Sequence, residues 1–314
     1  MKTRPRIAIP LPHSGNTEYS KRAISQYEQA VELAGGEPVR IELHNPSDVV
    51  RRTIEGCDGV LLPGSNADVD PAKFGAVKSP HTTPADPLRE EVDALLLEDA
   101  ETTRKPVLAI CYGLQSLNVY RKGSLVQHIP DFLSHELRGR VNHEAGSKVP
   151  IAHKVEVAAN SRLAAIVRGH GLEEGTRPPR TDLPLHRGDQ VSGARDQHPP
   201  THDPRTQEHD LLLDRGRAAL QGRERNTNLN GASAPEDRVV LAVNSSHHQS
   251  ANAVGNRLRI SARCVEDGII EALEGTSPDH FLLAVQWHPE RSVDAHSRAL
   301  FRAFVEASNS KVRG

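Results

Sequence analysis

Val107-Leu108-Ala109-Ile110-Cys111-Tyr112-Gly113-Leu114-Gln115 is the stretch on which the fold turns. Four aliphatic residues in a row, with no polar alternation, suit a strand buried on both faces. The residues beyond Cys111 are compatible with a helix, and Asn118 to Arg121 should lie on it. Cys111 then stands on a strand–nucleophile–helix turn, the thiol counterpart of the serine elbow. A thiol at a helix N-terminus meets the positive end of the dipole, which favours the thiolate. Gly113 allows close backbone approach without a Cβ clash. The N–H of Tyr112, one residue past the thiol, is placed to hold an oxyanion. Taken alone, a cysteine after an apolar strand is more often a core residue, so the rest of the chain has to decide.

Upstream, the sequence alternates strands and helices. Arg6–Pro10 reads as a buried strand. Helical spacing of Tyr19, Ala23, Tyr27, Ala30, Val31 and Ala34 follows, stopped at Gly35-Gly36. Pro38–Leu43 reads as a second strand, and Asn45-Pro46-Ser47 opens a short helix through a capping residue. Cys57–Leu62 forms a third strand ending at Pro63-Gly64-Ser65. Asp86–Thr103 is the clearest helix, with Leu88, Val92, Leu95, Leu96 and Asp99 on one face. This order predicts an α/β fold: a mostly parallel central sheet flanked by helices.

Downstream the pattern is less regular. Ala152–Val157 and Leu258–Val265 alternate as antiparallel or edge strands do, so a small antiparallel subsheet is expected. Val239–Val243 and Phe281–Val285 look buried, and Ser292–Ala307 is an amphipathic helix. From about Arg168 to Asp237 the chain is rich in Arg, His, Asp, Pro and Gly and lacks aromatics. Such a stretch buries too little apolar surface to offset its ordering entropy. We read residues 1–314 as a single domain interrupted at about 168–237 by a disordered insertion. A lid or partner-binding arm, and a local sequence artefact, are the alternatives.

Bulk composition narrows the function classes. Lys plus Arg (39) nearly balances Asp plus Glu (41), giving a net charge of −2. That gives no reason to expect nucleic acid or an anionic membrane surface as partner. No apolar run approaches the roughly 20 residues needed to span a bilayer. The basic N-terminus leads into a run broken by Pro10, Pro12 and His13, which reads as a first strand and not a secretion signal. Cys57, Cys111 and Cys264 are too sparse for a disulfide framework, and a cytoplasmic setting is expected. Cys57 and Cys264 fall in or beside strands and read as core residues.

The second constellation lies near the C-terminus, in Leu283-Ala284-Val285-Gln286-Trp287-His288-Pro289-Glu290. A cysteine nucleophile needs a base that later protonates the leaving amine, and that base needs an orienting carboxylate. Cys111, His288 and Glu290 supply the three roles. All would sit at the carboxyl ends of parallel strands, where α/β sheets hold their sites.

Taken together, Cys111-Tyr112-Gly113-Leu114-Gln115 and Gln286-Trp287-His288-Pro289-Glu290 resemble the class I glutamine amidotransferase-like family, whose fold is flavodoxin-like. Pro106–Cys111, Gln115–Asn118, Gly123-Ser124-Leu125, Gln127, Asn244–Gln249, Asp267-Gly268 and Glu271 narrow the resemblance to its γ-glutamyl-γ-aminobutyrate hydrolase (peptidase C26) branch. It covers about residues 6–167 and 238–306. The resemblance implies that Cys111 attacks a γ-glutamyl carbonyl to form a thioester, with His288 as base and acid and Glu290 orienting it. The backbone N–H groups of Gly64 and Tyr112 would form the oxyanion hole. Gln115, His247, His248 and Gln249 would line the glutamyl pocket. It implies no cofactor, a small-molecule γ-glutamyl substrate, and a place in polyamine degradation. Whether the chain works alone or as a homodimer stays open.

The chain departs from the family at Tyr112, where arginine or a similar residue is usual, and at Arg121-Lys122-Gly123, where a glycine-rich turn is usual. The first departure bears on the leaving amine and the second on the surface. His247-His248 could suggest a metal, but no matching Cys/His/Asp cluster lies nearby in the sequence, so no metal site is expected. Two other functions share the constellation: a glutaminase component that passes ammonia to a synthase, and a catalytically inactive binding homologue.

Overall fold

The computed structural model describes residues 4–169, 238–292 and 294–310. But for Arg168 and Gly169, the insertion expected at 168–237 lies outside the described residues. The strands are β1 (Arg6–Pro10), β2 (Glu37–Ile41), β3 (Gly59–Leu62), β4 (Val107–Ile110), β5 (Leu125–Val126), β6 (His153–Val157), β7 (Val239–Val243), β8 (Ser250–Ala251), β9 (Leu258–Cys264), β10 (Ile270–Gly275) and β11 (Leu282–Val285). The helices are α1 (Thr17–Leu33), α2 (Ser47–Glu55), α3 (Pro87–Thr103), α4 (Tyr112–Tyr120), α5 (Ile129–Phe132), α6 (Arg162–Gly169) and α7 (Ala295–Ser310). None of the described helices is long and apolar enough to cross a membrane.

Nine strands form one sheet in the order β2-β1-β3-β4-β11-β10-β9-β6-β7. From β2 to β11 every pair is parallel. From β11 to β7 every pair is antiparallel. The alternating strands Ala152–Val157 and Leu258–Val265 therefore extend the main sheet. The small antiparallel sheet is a separate pair, β5 with β8.

Each parallel strand feeds two cores, because its side chains alternate between faces. On one face Ile7, Ile9, Leu61, Leu108 and Ile110 pack with Ile24, Leu300 and Phe304. On the other, Ala8, Val60, Leu62, Val107 and Ala109 pack with Val50, Ile54, Val92 and Leu96. Apolar residues are thus needed at every position of β3 and β4, which is why these strands read as unbroken runs. Cys57 and Cys264 are buried, as expected of core residues.

Three expectations change in detail. Among the described residues Val239–Val243 is the edge strand of the sheet and not an interior one, and Val240 is half exposed. Helix α2 begins without a side-chain cap. Instead the Pro46 carbonyl accepts the N–H groups of Val49 (2.9 Å) and Val50 (3.0 Å), and its ring presets φ at −55°. On α3 the buried face is rotated from the expected one. Leu88 and Leu95 are only partly buried, whereas Arg89 and Asp93 are wholly so. Arg89 Nε donates to Asp93 Oδ1 (2.7 Å), and its other nitrogens donate to the carbonyls of Pro12 (3.0 Å) and Pro63 (2.7 Å). This buried guanidinium ties α3 to the turns that follow β1 and β3. In the Arg121-Lys122-Gly123 turn, Lys122 takes the left-handed conformation (φ 70°) that glycine would adopt more cheaply.

Candidate active site

Strands β3, β4 and β11 run in register, with Leu62 opposite Ala109 and Ile110 opposite Val285. Their carboxyl ends therefore deliver Gly64, Cys111 and His288 to one rim of the sheet. Cys111 bends sharply there, at φ 53° and ψ −108°. A side chain rarely occupies that region, at a cost of about 1–3 kcal/mol. The bend is held by the Cys111 N–H, which donates to the Val285 carbonyl (2.8 Å), and by the Cys111 carbonyl, which accepts the Gln115 N–H (3.2 Å). Gly113 is required for the same turn, since a Cβ there would lie 2.3 Å from the Leu62 carbonyl oxygen.

The His288 ring is buried and clamped on both sides. Its Nδ1 lies 2.7 Å from Glu290 Oε1, and the Cys111 side chain lies close enough to the ring to raise its pKa. Burial alone would lower the imidazole pKa. The charges of Glu290 and Cys111 and the hydrogen bond to Glu290 overcome it and raise the group to about 9. Glu290 is itself held below the usual carboxylate range: burial pushes it up, but the His288 charge and hydrogen bond pull it further down. The arrangement stabilises an imidazolium beside a sulfur, which is what thiolate attack on an amide requires.

Asn244, on the segment leaving β7, holds the His288 backbone. Its Oδ1 accepts the His288 N–H (2.9 Å) and its Nδ2 donates to the His288 carbonyl (2.8 Å). Nothing in its spacing from His288 announces this role; only the family resemblance marked the Asn244 stretch.

The two expected oxyanion donors differ. The Tyr112 N–H lies in the first turn of α4, where helical N–H groups have no intrahelical partner. The Tyr112 ring is buried among Val69, Val119 and Leu125 beneath the Arg89 guanidinium, 4.9 Å from its centroid. The departure at position 112 is thus one of core packing. Gly64 lies against the site: a Cβ on it would stand 3.1 Å from His288 Cε1 and 3.6 Å from Cys111 Cβ. Its N–H, however, donates to the Tyr27 hydroxyl on α1 (3.0 Å). An oxyanion could use that amide only by displacing the hydroxyl.

The residues expected in the glutamyl pocket fall into three settings. Gln115 is buried and its Nε2 donates to the Gln249 carbonyl (3.2 Å) and to Gln286 Oε1 (3.4 Å). Gln249 donates through Nε2 to the Gln127 carbonyl (3.2 Å). His248 is half-buried and pairs with Asp68 Oδ1 (3.0 Å), which raises its pKa. His247 is turned inward on both ring nitrogens, Nδ1 to the Gln249 carbonyl and Nε2 towards Glu271.

The model of the family Peptidase C26 matches residues 9–174 and 195–290. The chain belongs to the peptidase C26 family. Among its relatives is the γ-glutamyl-γ-aminobutyrate hydrolase of Escherichia coli K12, 28% identical over 90% of this chain and 84% of that one. A glutamine amidotransferase-like protein of Rickettsia prowazekii is 29% identical over 90% of this chain and 87% of its own. Among solved structures, the glutaminase domain of Trypanosoma brucei CTPS superposes with a TM-score of 0.51 at 15% identity, covering 98% of this chain and 94% of that one. That likeness shows that the peptidase C26 chain has a class I glutamine amidotransferase fold.

Proposed function

We propose that this chain hydrolyses the γ-glutamyl amide bond of a small γ-glutamyl amine, such as γ-glutamyl-γ-aminobutyrate, and releases glutamate. The observation that carries the reading is the His288 ring held between Glu290 and the Cys111 sulfur at one sheet rim. The Cys111 thiolate attacks the γ-carbonyl carbon. The oxyanion takes the Tyr112 N–H and, as the Tyr27 hydroxyl withdraws, the Gly64 N–H. The C–N bond breaks as His288 gives its proton to the leaving amine, leaving a glutamyl thioester. Water, deprotonated by His288, then attacks the thioester, and glutamate and the free thiol are restored. Gln115, His248 and Gln249 hold the glutamyl end. The role in polyamine degradation and the cytoplasmic setting belong to this same reading; three unbridged cysteines support the latter.

The test is glutamate release from a panel of γ-glutamyl amides by the isolated chain, with Cys111→Ser beside it. The reading requires turnover of at least one γ-glutamyl amine and its loss in the variant. Full turnover by Cys111→Ser would refute the mechanism. The likeness to a glutaminase domain and to a glutamine amidotransferase-like relative favours a second reading, a glutaminase that feeds ammonia to a synthase. On that reading the isolated chain would be nearly silent on every γ-glutamyl amine. A catalytically inactive homologue would in addition leave Cys111 unlabelled by a glutamine-mimicking electrophile.

A further inference from the structure

His143, His153, His247 and Glu271 come from four separate segments and meet in the interior. Their side chains are 4%, 1%, 2% and 0% exposed. Glu271 Oε1 lies 3.3 Å from His143 Nδ1, 3.1 Å from His153 Nε2 and 3.6 Å from His247 Nε2. None of these approaches has hydrogen-bond geometry. Both Glu271 oxygens and all three facing nitrogens are left without a hydrogen-bond partner. Orphaned polar atoms at this depth are destabilising, the more so when charged, unless something else satisfies them.

The outer nitrogens show what is missing. His247 Nδ1 lies 2.9 Å from the Gln249 carbonyl, which can only accept, so Nδ1 carries the hydrogen. In the neutral ring Nε2 then holds a lone pair aimed at a carboxylate. His143 Nε2 lies 2.8 Å from Asp267 Oδ2 in the same way. Imidazoles whose far nitrogen is fixed by a carboxylate or a backbone carbonyl are the usual outer support of a metal ligand. The spacing agrees as well. Four ligands at about 2.0–2.1 Å around a tetrahedral ion stand roughly 3.3–3.4 Å apart. The ligand atoms of His143, His247 and Glu271 also lie within 4.8 Å of one another. A cavity of about 60 Å³, bordered by Ile129, Leu133, Val141, His143 and His247, adjoins the cluster.

We propose that His143 Nδ1, His247 Nε2 and Glu271 Oε1 form a binding site for one divalent transition-metal ion of the zinc class. Imidazole and carboxylate donors suit such an ion, and three protein ligands leave water to complete a tetrahedral shell. The ion joins β10 and the two loops that carry His143 and His247. It thereby fixes the segment whose Gln249 carbonyl accepts from Gln115. Sequence spacing hid the site because its members lie far apart in the chain.

The test uses the full chain, stripped with a chelator and then titrated with cobalt(II) and, in competition, zinc(II). The expected result is uptake of one equivalent, visible bands of tetrahedral cobalt(II), displacement by zinc, and a rise of several degrees in Tm. Alkylation of Cys111 should leave that equivalent in place, whereas His247→Gln and, independently, Glu271→Gln should abolish the bands. Failure of the unmodified chain to take up either ion overturns the proposal, whatever the variants do. So does uptake that alkylation removes or that persists in a folded His247→Gln chain. An imidazolium shared between Asp267 and Glu271 would then account for the cluster.

Discussion

Replacing Glu290 by Gln removes the charge that does most to hold His288 protonated, while keeping size and an oxygen near Nδ1. His288 stands at about 9 against an ordinary value of 6.5. That difference corresponds to about 3 kcal/mol in favour of the imidazolium, at about 1.36 kcal/mol per unit. Burial opposes it, and Glu290 is the largest of the opposing contributions. The variant should therefore lose on the order of 100-fold in kcat/KM near neutral pH. Its alkaline limb should fall from about 9 to near or below the ordinary histidine value. The stability effect has a definite sign, because the folded pKa is the raised one. The stabilisation is fully present below about 6.5 and disappears as pH rises through about 9. The Tm deficit of Glu290→Gln should then be largest in mild acid and shrink above pH 9. The assay is glutamate release from a γ-glutamyl amide across pH 5 to about 10, with Tm measured in the same buffers. An alkaline limb within about half a unit of the parent, with kcat/KM within about threefold, would refute the reasoning.

Further outcomes follow from neighbouring contacts. Asn244→Ala removes two buried hydrogen bonds to the His288 backbone and should cost about 2–3 kcal/mol by denaturant titration. It should also depress kcat more than KM, since the lost contacts position the imidazole. Gly113→Ala drives a Cβ against the Leu62 backbone; a loss of about 1–3 kcal/mol is expected, and an unchanged unfolding midpoint would contradict the packing described. Arg89→Met strips the buried Asp93 of its guanidinium partner, which should cost about 3–5 kcal/mol. Adding Asp93→Leu should recover part of that loss but not all, because the guanidinium also braces Pro12 and Pro63.

How far the molecule is legible from its residues depends on the range of the interactions. Strands β3, β4 and β11 face apolar layers on both sides, so their character is written in unbroken aliphatic runs. The same signal misleads at Val239–Val243, because a run of valines looks alike at an edge and in the interior. Arg89 and Asp93 stand one turn apart on α3, a spacing visible in the sequence. Their polarity argues against burial, and their mutual pairing together with the carbonyls of Pro12 and Pro63 makes it tolerable. Cys111 could be proposed because it directly follows an apolar strand, and His288 with Glu290 because an imidazole and an acid two positions on come just past another. Tyr27 carries no such mark: its hydroxyl meets Gly64 through the packing of α1, which periodicity does not specify. The His143–Glu271 cluster is the limiting case, assembled from four segments with no local signature.

On the proposed mechanism, the backbone at Cys111 sets its thiol against the stability of its own scaffold. At φ 53° and ψ −108° the position suits a residue without a side chain. Cys111→Gly should thus yield a chain that is inert towards amides yet resists heat better than its parent. Screens that reward thermal tolerance alone would drift towards that loss, so stabilising substitutions in this chain are best sought away from the rim.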